Sequence, residues 1–151
     1  MECAALNRLA TVAQQMLDFE SAEELLNSAL AVAEASGDKL SLAETKWNLA
    51  QIGHYTSHIE ESLAHGERAL ALARELDSRE LTARSLNMIA YSKLVMGRWA
   101  ETEAQAGEAA GLYSASGNRA MEADSLALQA EAQIRSGQPQ AGLKTARVLC
   151  R

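Results

Sequence analysis

The sequence predicts an all-α protein, a solenoid of four stacked helical hairpins. Three observations carry that expectation. First, the chain repeats itself every 40 residues without a gap. Ala10, Ala50, Ala90 and Ala130 share one offset, and so do Phe19, Ile59, Trp99 and Pro139. The same offset links Ala29, Ala69 and Ala109, and also Leu30, Leu70 and Ala110. Second, 48% of residues are hydrophobic, only 4% are aromatic, and there is a single proline, so the core must be built from Ala and Leu. Both are good helix formers, and Gly and Pro are too sparse for frequent β-turns. Third, Gly37, Asp77 and Gly117 are each followed by a helix N-cap residue, Asp38, Ser78 or Asn118. A hairpin repeated at this period cannot bury both faces alone, so neighbours must stack.

The second unit shows how each element is justified. Asp38 caps a first helix that runs to about Tyr55. Thr56, Ser57 and His58 make the turn; the matching turns hold Gly97-Arg98 and Gly137-Gln138, where Gly suits a left-handed residue just past the helix. A second helix starts near Ile59. It buries Ile59, Ser62, Leu63, Gly66, Ala69, Leu70 and Ala73, a stripe of small and medium side chains at helical spacing. Gly66 and Ala69 are small enough to let the two backbones of the hairpin approach. Phe19, Ile59 or Trp99 plugs the hairpin end in its own unit.

The stretch 44–55 has two contrasting faces. Glu44, Trp47, Gln51, His54 and Tyr55 share one side of a helix, and Thr45, Leu49, Ile52 and Gly53 the other. The second side is fit to pack, which leaves the first, with its two aromatics, pointing outward.

The units fall at 1–37, 38–77, 78–117 and 118–151, in one domain spanning 1–151. By this register the first helix is due a cap about two residues before Met1, and the last is due to run about six residues past Arg151. Both ends are thus cut within a repeat. Two readings follow: a piece of a longer protein, or a homodimer that stacks its open ends.

A net charge of −6 without a basic run argues against direct nucleic-acid binding. No basic region precedes an apolar run at the start, and no apolar stretch approaches the roughly 20 residues of a membrane span. Cys3 and Cys150 lie at opposite ends, which is no disulfide framework; a cytoplasmic setting is expected. As exposed thiols near the ends, the two are candidates for intermolecular disulfides.

Neither a phosphate-binding glycine loop nor a nucleophile elbow is present. His54 and His58 are spaced i, i+4, a zinc-ligand spacing, but the register puts His58 in a turn and His65 on the outer side of its helix. The expectation is no metal, no cofactor and no catalysis.

The repeat resembles the tetratricopeptide (TPR) family, in a longer form of about 40 residues. Leu9-Ala10, Leu49-Ala50 and Ile89-Ala90 stand where that family has Leu-Gly on its first helix. Leu6, Leu86 and Leu126 stand at its large position three residues earlier. Ala22, Ser62, Thr102 and Gly142 match its small residue on the second helix, and Ala29, Ala69 and Ala109 its next Ala. Lys46 and Gln129 depart from the pattern, and the fourth unit is the weakest. The resemblance implies a right-handed α-α superhelix whose first helices line a concave groove for a peptide or helix of a partner protein. Carried over by position, the groove holds Asn7, Glu44, Trp47, Asn48, Gln51, His54, Tyr55, Arg84, Asn87, Tyr91, Asp124 and Glu131. Helix ends such as EASGD and SASGN are similar to TPR arrays of bacterial multidomain regulators, including LuxR-type ATP-dependent transcription activators. The resemblance therefore implies a non-catalytic interaction module of a signalling or transcription protein, or a ligand- or peptide-sensing domain of one.

Overall fold

The computed structural model describes residues 2–149. Eight helices follow one another: α1 Glu2–Gln15, α2 Phe19–Ser36, α3 Lys39–Tyr55, α4 Ile59–Glu75, α5 Arg79–Val95, α6 Trp99–Ser116, α7 Arg119–Arg135 and α8 Pro139–Leu149. From α2 onward a helix begins every 20 residues, so the 40-residue unit is built from two halves of equal length. No strand occurs among the described residues.

The halves are equal because every turn uses the same device. Residues 17, 37, 57, 77, 97, 117 and 137 all have positive φ. Glycine fills four of these positions, where the left-handed conformation costs it nothing. Leu17, Ser57 and Asp77 fill the other three, with φ of 62, 64 and 51°. In six of the seven turns the next residue's N–H reaches back to a carbonyl five positions earlier, as in His58 N–H to Gly53 and Arg98 N–H to Lys93. This is the Schellman closure of a helix C-terminus. The following helix is then capped by Asp18, Asp38, Ser78 or Asn118, whose side chains accept from backbone N–H groups. His58 and Arg98 occupy the same position without a side-chain cap.

Packing follows the repeat. Ala10, Ala50, Ala90 and Ala130 are all buried, as are Ala29, Ala69 and Ala109. Each even helix packs on its hairpin partner and on the next odd helix. Odd helices also approach each other, α1 to α3, α3 to α5 and α5 to α7, whereas among the described residues even helices do not. Closer spacing on the odd side bends the array, which puts the odd helices on its inner, concave face.

Several local expectations meet the structure directly. Thr45, Leu49, Ile52 and Gly53 are all buried. Phe19 and Trp99 cover core clusters at the ends of their hairpins. Other positions differ. The close approach within the second hairpin is made at Gly53, where a Cβ would sit 3.1 Å from the backbone of His58 and Ser62. Gly66 instead faces Ile89 of the next unit. Cys3 is not an exposed thiol: it is buried and donates to the Ala29 carbonyl at 3.4 Å. Its surroundings are Ala29 and Ala33, small enough to admit it. Cys150 lies outside the described residues. His58 and His65 share a small crevice with Glu23 and Glu61 rather than lying on separate surfaces. No group of three metal-ligating side chains forms among the described residues.

One buried charge escapes the sequence pattern. Lys93 is buried on α5 and reaches Glu101 of α6 at 2.9 Å. Arg98 forks onto the same carboxylate with two bonds of 2.7 Å. The Arg98 and Lys93 hydrogen bonds hold the Glu101 carboxyl down at about 2.

Two predictions follow from these contacts. Leu17→Gly should stabilise the fold by a few tenths to about 1 kcal/mol, because Leu17 is 75% exposed and its left-handed backbone favours glycine. An unchanged or lower Tm in thermal unfolding would refute this. The second concerns acid. The Glu101 carboxyl titrates lower folded than unfolded, so its stabilisation is complete above about pH 4.5 and fades as pH falls toward 2. Glu101→Gln should lower Tm at pH 7 and flatten the decline of Tm over that acid window.

Candidate functional site

The inner face is assembled from the odd helices, and its polar residues first have to be sorted into those that link repeats and those left open. The link is a ladder between neighbouring odd helices. Asn7 of α1 donates to Thr45 Oγ1 of α3 at 3.0 Å, and Asn48 donates to Asn7 Oδ1 at 2.9 Å. Eighty residues further on, at the equivalent positions, Ser125 of α7 donates to Asn87 Oδ1 of α5 at 2.8 Å. Asn7 is buried. Its amide is engaged on both ends, so it joins the first two repeats rather than facing a partner. Asn48 and Asn87 are half-buried and share that duty.

The ladder breaks between α3 and α5. Trp47 stands where the neighbouring units have Asn7 and Asn87. Ser85, the counterpart of Thr45 and Ser125, is therefore fully buried with no hydrogen-bond partner for its hydroxyl. The indole Nε1 of Trp47 is also buried without a partner. Each such orphan costs on the order of 1–3 kcal/mol.

The Trp47 ring is covered by Arg84, whose guanidinium carbon lies 3.8 Å from the ring centroid. That cation–π contact fixes both side chains beside a cleft of about 700 Å³. Trp47 and Gln51 of α3 form one wall of the cleft, Arg79, Ala83 and Arg84 of α5 its middle, and Tyr113 and Met121 the far side. The Tyr113 hydroxyl has no hydrogen-bond partner. Burial pushes its phenol up to about 12.

Glu44 and Asn48 instead line a second, shallower cleft with Asn7, Arg8 and Arg84. Arg84 borders both. His54, Tyr55 and Tyr91 belong to a third region at the C-terminal ends of α3 and α5. Tyr55 stacks on Phe19 with centroids 5.7 Å apart, and His54 meets Tyr91 edge-on at 4.2 Å. His54 is half-buried here, which lowers its pKa. Tyr55 remains 55% exposed and Tyr91 39%. Val95, on the last turn of α5, is exposed, and Ile134 of α7 is exposed but lies against Gly142 of α8. Asp124 and Glu131 sit on α7, with Glu131 paired to Arg135 at 2.7 Å. The twelve groove positions expected from the sequence thus divide between a polar cleft region, an aromatic strip and an inter-repeat ladder. Arg79, Tyr113 and Met121 went unread, because they enter from a helix start and from the neighbouring hairpin. The sequence did carry a signal for one of them: Tyr113 replaces the Ala of Ala33 and Ala73.

An inner face of odd helices bearing open aromatic and charged groups defines a helical-hairpin solenoid of the tetratricopeptide class. The tetratricopeptide repeat family model matches residues 1–75, the first two hairpins, and the other two hairpins repeat the same unit. The first two hairpins thus match the tetratricopeptide repeat family, and the fold of the whole chain is TPR-like. No curated protein matches the sequence. Among solved structures it is similar to BtubC (BKLC) from P. vanneervenii, at 16% identity with a TM-score of 0.88 over 99% of this chain. The chain spans 62% of that structure's length. It is also similar to a Podosopora anserina protein of nearly identical TPR-like repeats, assigned as a kinesin light chain. There the identity is 17% and the TM-score 0.84, over 97% of this chain and 72% of the other. These likenesses show the fold. TPR repeats generally mediate protein–protein interaction and are typically scaffolds without catalysis. No described helix is long and apolar enough to cross a membrane.

The broken ladder makes its own prediction. Ser85→Ala removes a buried hydroxyl that bonds nothing, and should leave stability unchanged or raise it by about 1 kcal/mol. Ser125→Ala, which strands the Asn87 carbonyl, should lower it by a similar amount. Chemical denaturation of both variants checks the contrast; equal losses would mean that Ser85 has a partner.

Proposed function

We propose that residues 1–151 act as one four-repeat domain that binds a segment of a partner protein on the concave face, without catalysis, as part of a larger bacterial regulator in the cytoplasm. The observation that carries the binding reading is the row of exposed apolar side chains toward the ends of the odd helices: Tyr55, Tyr91 and Val95. Exposed aromatics held rigid by stacking make good anchors, since little conformational entropy is lost when they are covered. Trp47 and Arg84 extend the face with a cation and a large ring. The regulator context rests on the similarity of the 40-residue repeat and its EASGD and SASGN helix ends to TPR arrays of LuxR-type activators.

A second reading is favoured by the cleft beside Trp47: the domain senses a small ligand or peptide and passes the signal on by a change in curvature. Stacking of open ends into a homodimer is compatible with either reading.

The groove reading is tested with a photo-crosslinking residue at Tyr91, on the inner face, or at Glu67, on an even helix. A partner should be captured from Tyr91 alone. The double variant Trp47→Ala, Tyr55→Ala should weaken binding of that partner at least about tenfold, with unchanged helical circular dichroism. Full binding by the double variant would refute the groove.

A further inference from the structure

The repeat departs from its own pattern in a concentrated way. Trp47 replaces an Asn, Arg84 reverses the charge of Glu44 and Asp124, and Tyr113 replaces the Ala of Ala33 and Ala73. These three substitutions come from three different helices, yet all line the same cleft of about 700 Å³. Stacking alone does not require them; at Ser85 it is made worse by them.

The groups they bring are donors. An indole N–H and a guanidinium can only donate, and the Tyr113 phenol, protonated at neutral pH like any tyrosine, has a hydroxyl proton to give. The Trp47 Nε1 and the Tyr113 hydroxyl are both buried without partners. Tyr113 is 3% exposed overall. Arg84 makes no ion pair among the described residues, and neither does Arg79 at the cleft's edge. Two arginines and one carboxylate, Glu80, line the cleft, and Asp124 also lies close enough to act on Tyr113. Ala83, Leu112 and Met121 supply an apolar wall. The volume lies in the range of small-molecule sites.

We propose that this cleft is a binding site for a small amphipathic organic anion, its acidic group held by Arg84 and the Tyr113 hydroxyl and its apolar body against the Met121 wall. The proposal rests on the sensing reading rather than on the peptide groove. Carboxylates and phosphate monoesters share the required chemistry.

The probes are phenylacetate, phenyl phosphate and the neutral phenylacetamide, titrated by calorimetry into the native chain. Trp47 fluorescence in a Trp99→Phe background gives a second readout. At least one of the two anions should saturate, and the amide should bind at least about tenfold more weakly, the loss of one charged contact. Saturation by one anion alone identifies which acid the site takes. Arg84→Gln and the near-isosteric Tyr113→Phe should each weaken the anion at least about fivefold with Tm retained, while Arg98→Gln, away from the cleft, leaves anion binding unchanged. The proposal is overturned if the amide binds as tightly as the anions, if Tyr113→Phe and Arg84→Gln both bind normally, or if neither anion saturates by about 10 mM. Solution scattering with and without the bound anion separates site from sensing: saturable, Arg84-dependent binding with no change in the scattering profile supports the site and sinks the curvature-sensing reading.

Discussion

The architecture depends on one backbone constraint, a left-handed residue every 20 positions. It ends the helices α2 to α7 at 17 or 18 residues and turns the chain back on itself without slack. Equal helices in turn bring the same small side chains to the same contacts, so Ala10, Ala50, Ala90 and Ala130 are buried alike. The constraint is strong enough to hold Leu17, Ser57 and Asp77 in a conformation that glycine prefers. Hydrogen bonds reaching back from the following residue keep these turns closed.

Regular stacking frees the remaining positions for variation, and the variation is not spread evenly. The ladder of Asn7 with Thr45 and of Asn87 with Ser125 keeps neighbouring repeats in register. Its interruption at Trp47 leaves buried polar atoms unsatisfied between α3 and α5. Natural solenoids keep local flaws of this kind where the chain does something besides stack. Arg84 covers the Trp47 ring, and Tyr113 lines the same cleft.

The concave face therefore has two characters. Toward the starts of α5 and α7 lies a cleft lined by two arginines, with an apolar wall. Toward the ends of α3 and α5 lies an open strip of aromatic and aliphatic side chains. A protein segment suits the strip, where area is open and little order has to be imposed. A small acceptor-rich molecule suits the cleft, where donors are already in place. Arg84 borders both this cleft and the shallower one beside Asn7 and Glu44.

By itself the sequence determined the fold class, the number of hairpins, the turns and three of the four side-chain caps, because these depend on local chemistry repeated at a fixed period. The buried face of α3 was legible for the same reason, as was the outward placing of Tyr55 and Tyr91. Only the tertiary structure decided what each polar group does. Asn7 looked like a groove residue, yet Thr45, 38 positions away, claims it. Cys3 looked exposed at a chain end, yet α2 covers it. Lys93 found its counter-charge across a hairpin, and Arg84 found Trp47 across two odd helices. Periodicity says which face a side chain is on, but the partner it meets there comes from another repeat, and its position follows from the angle at which helices stack.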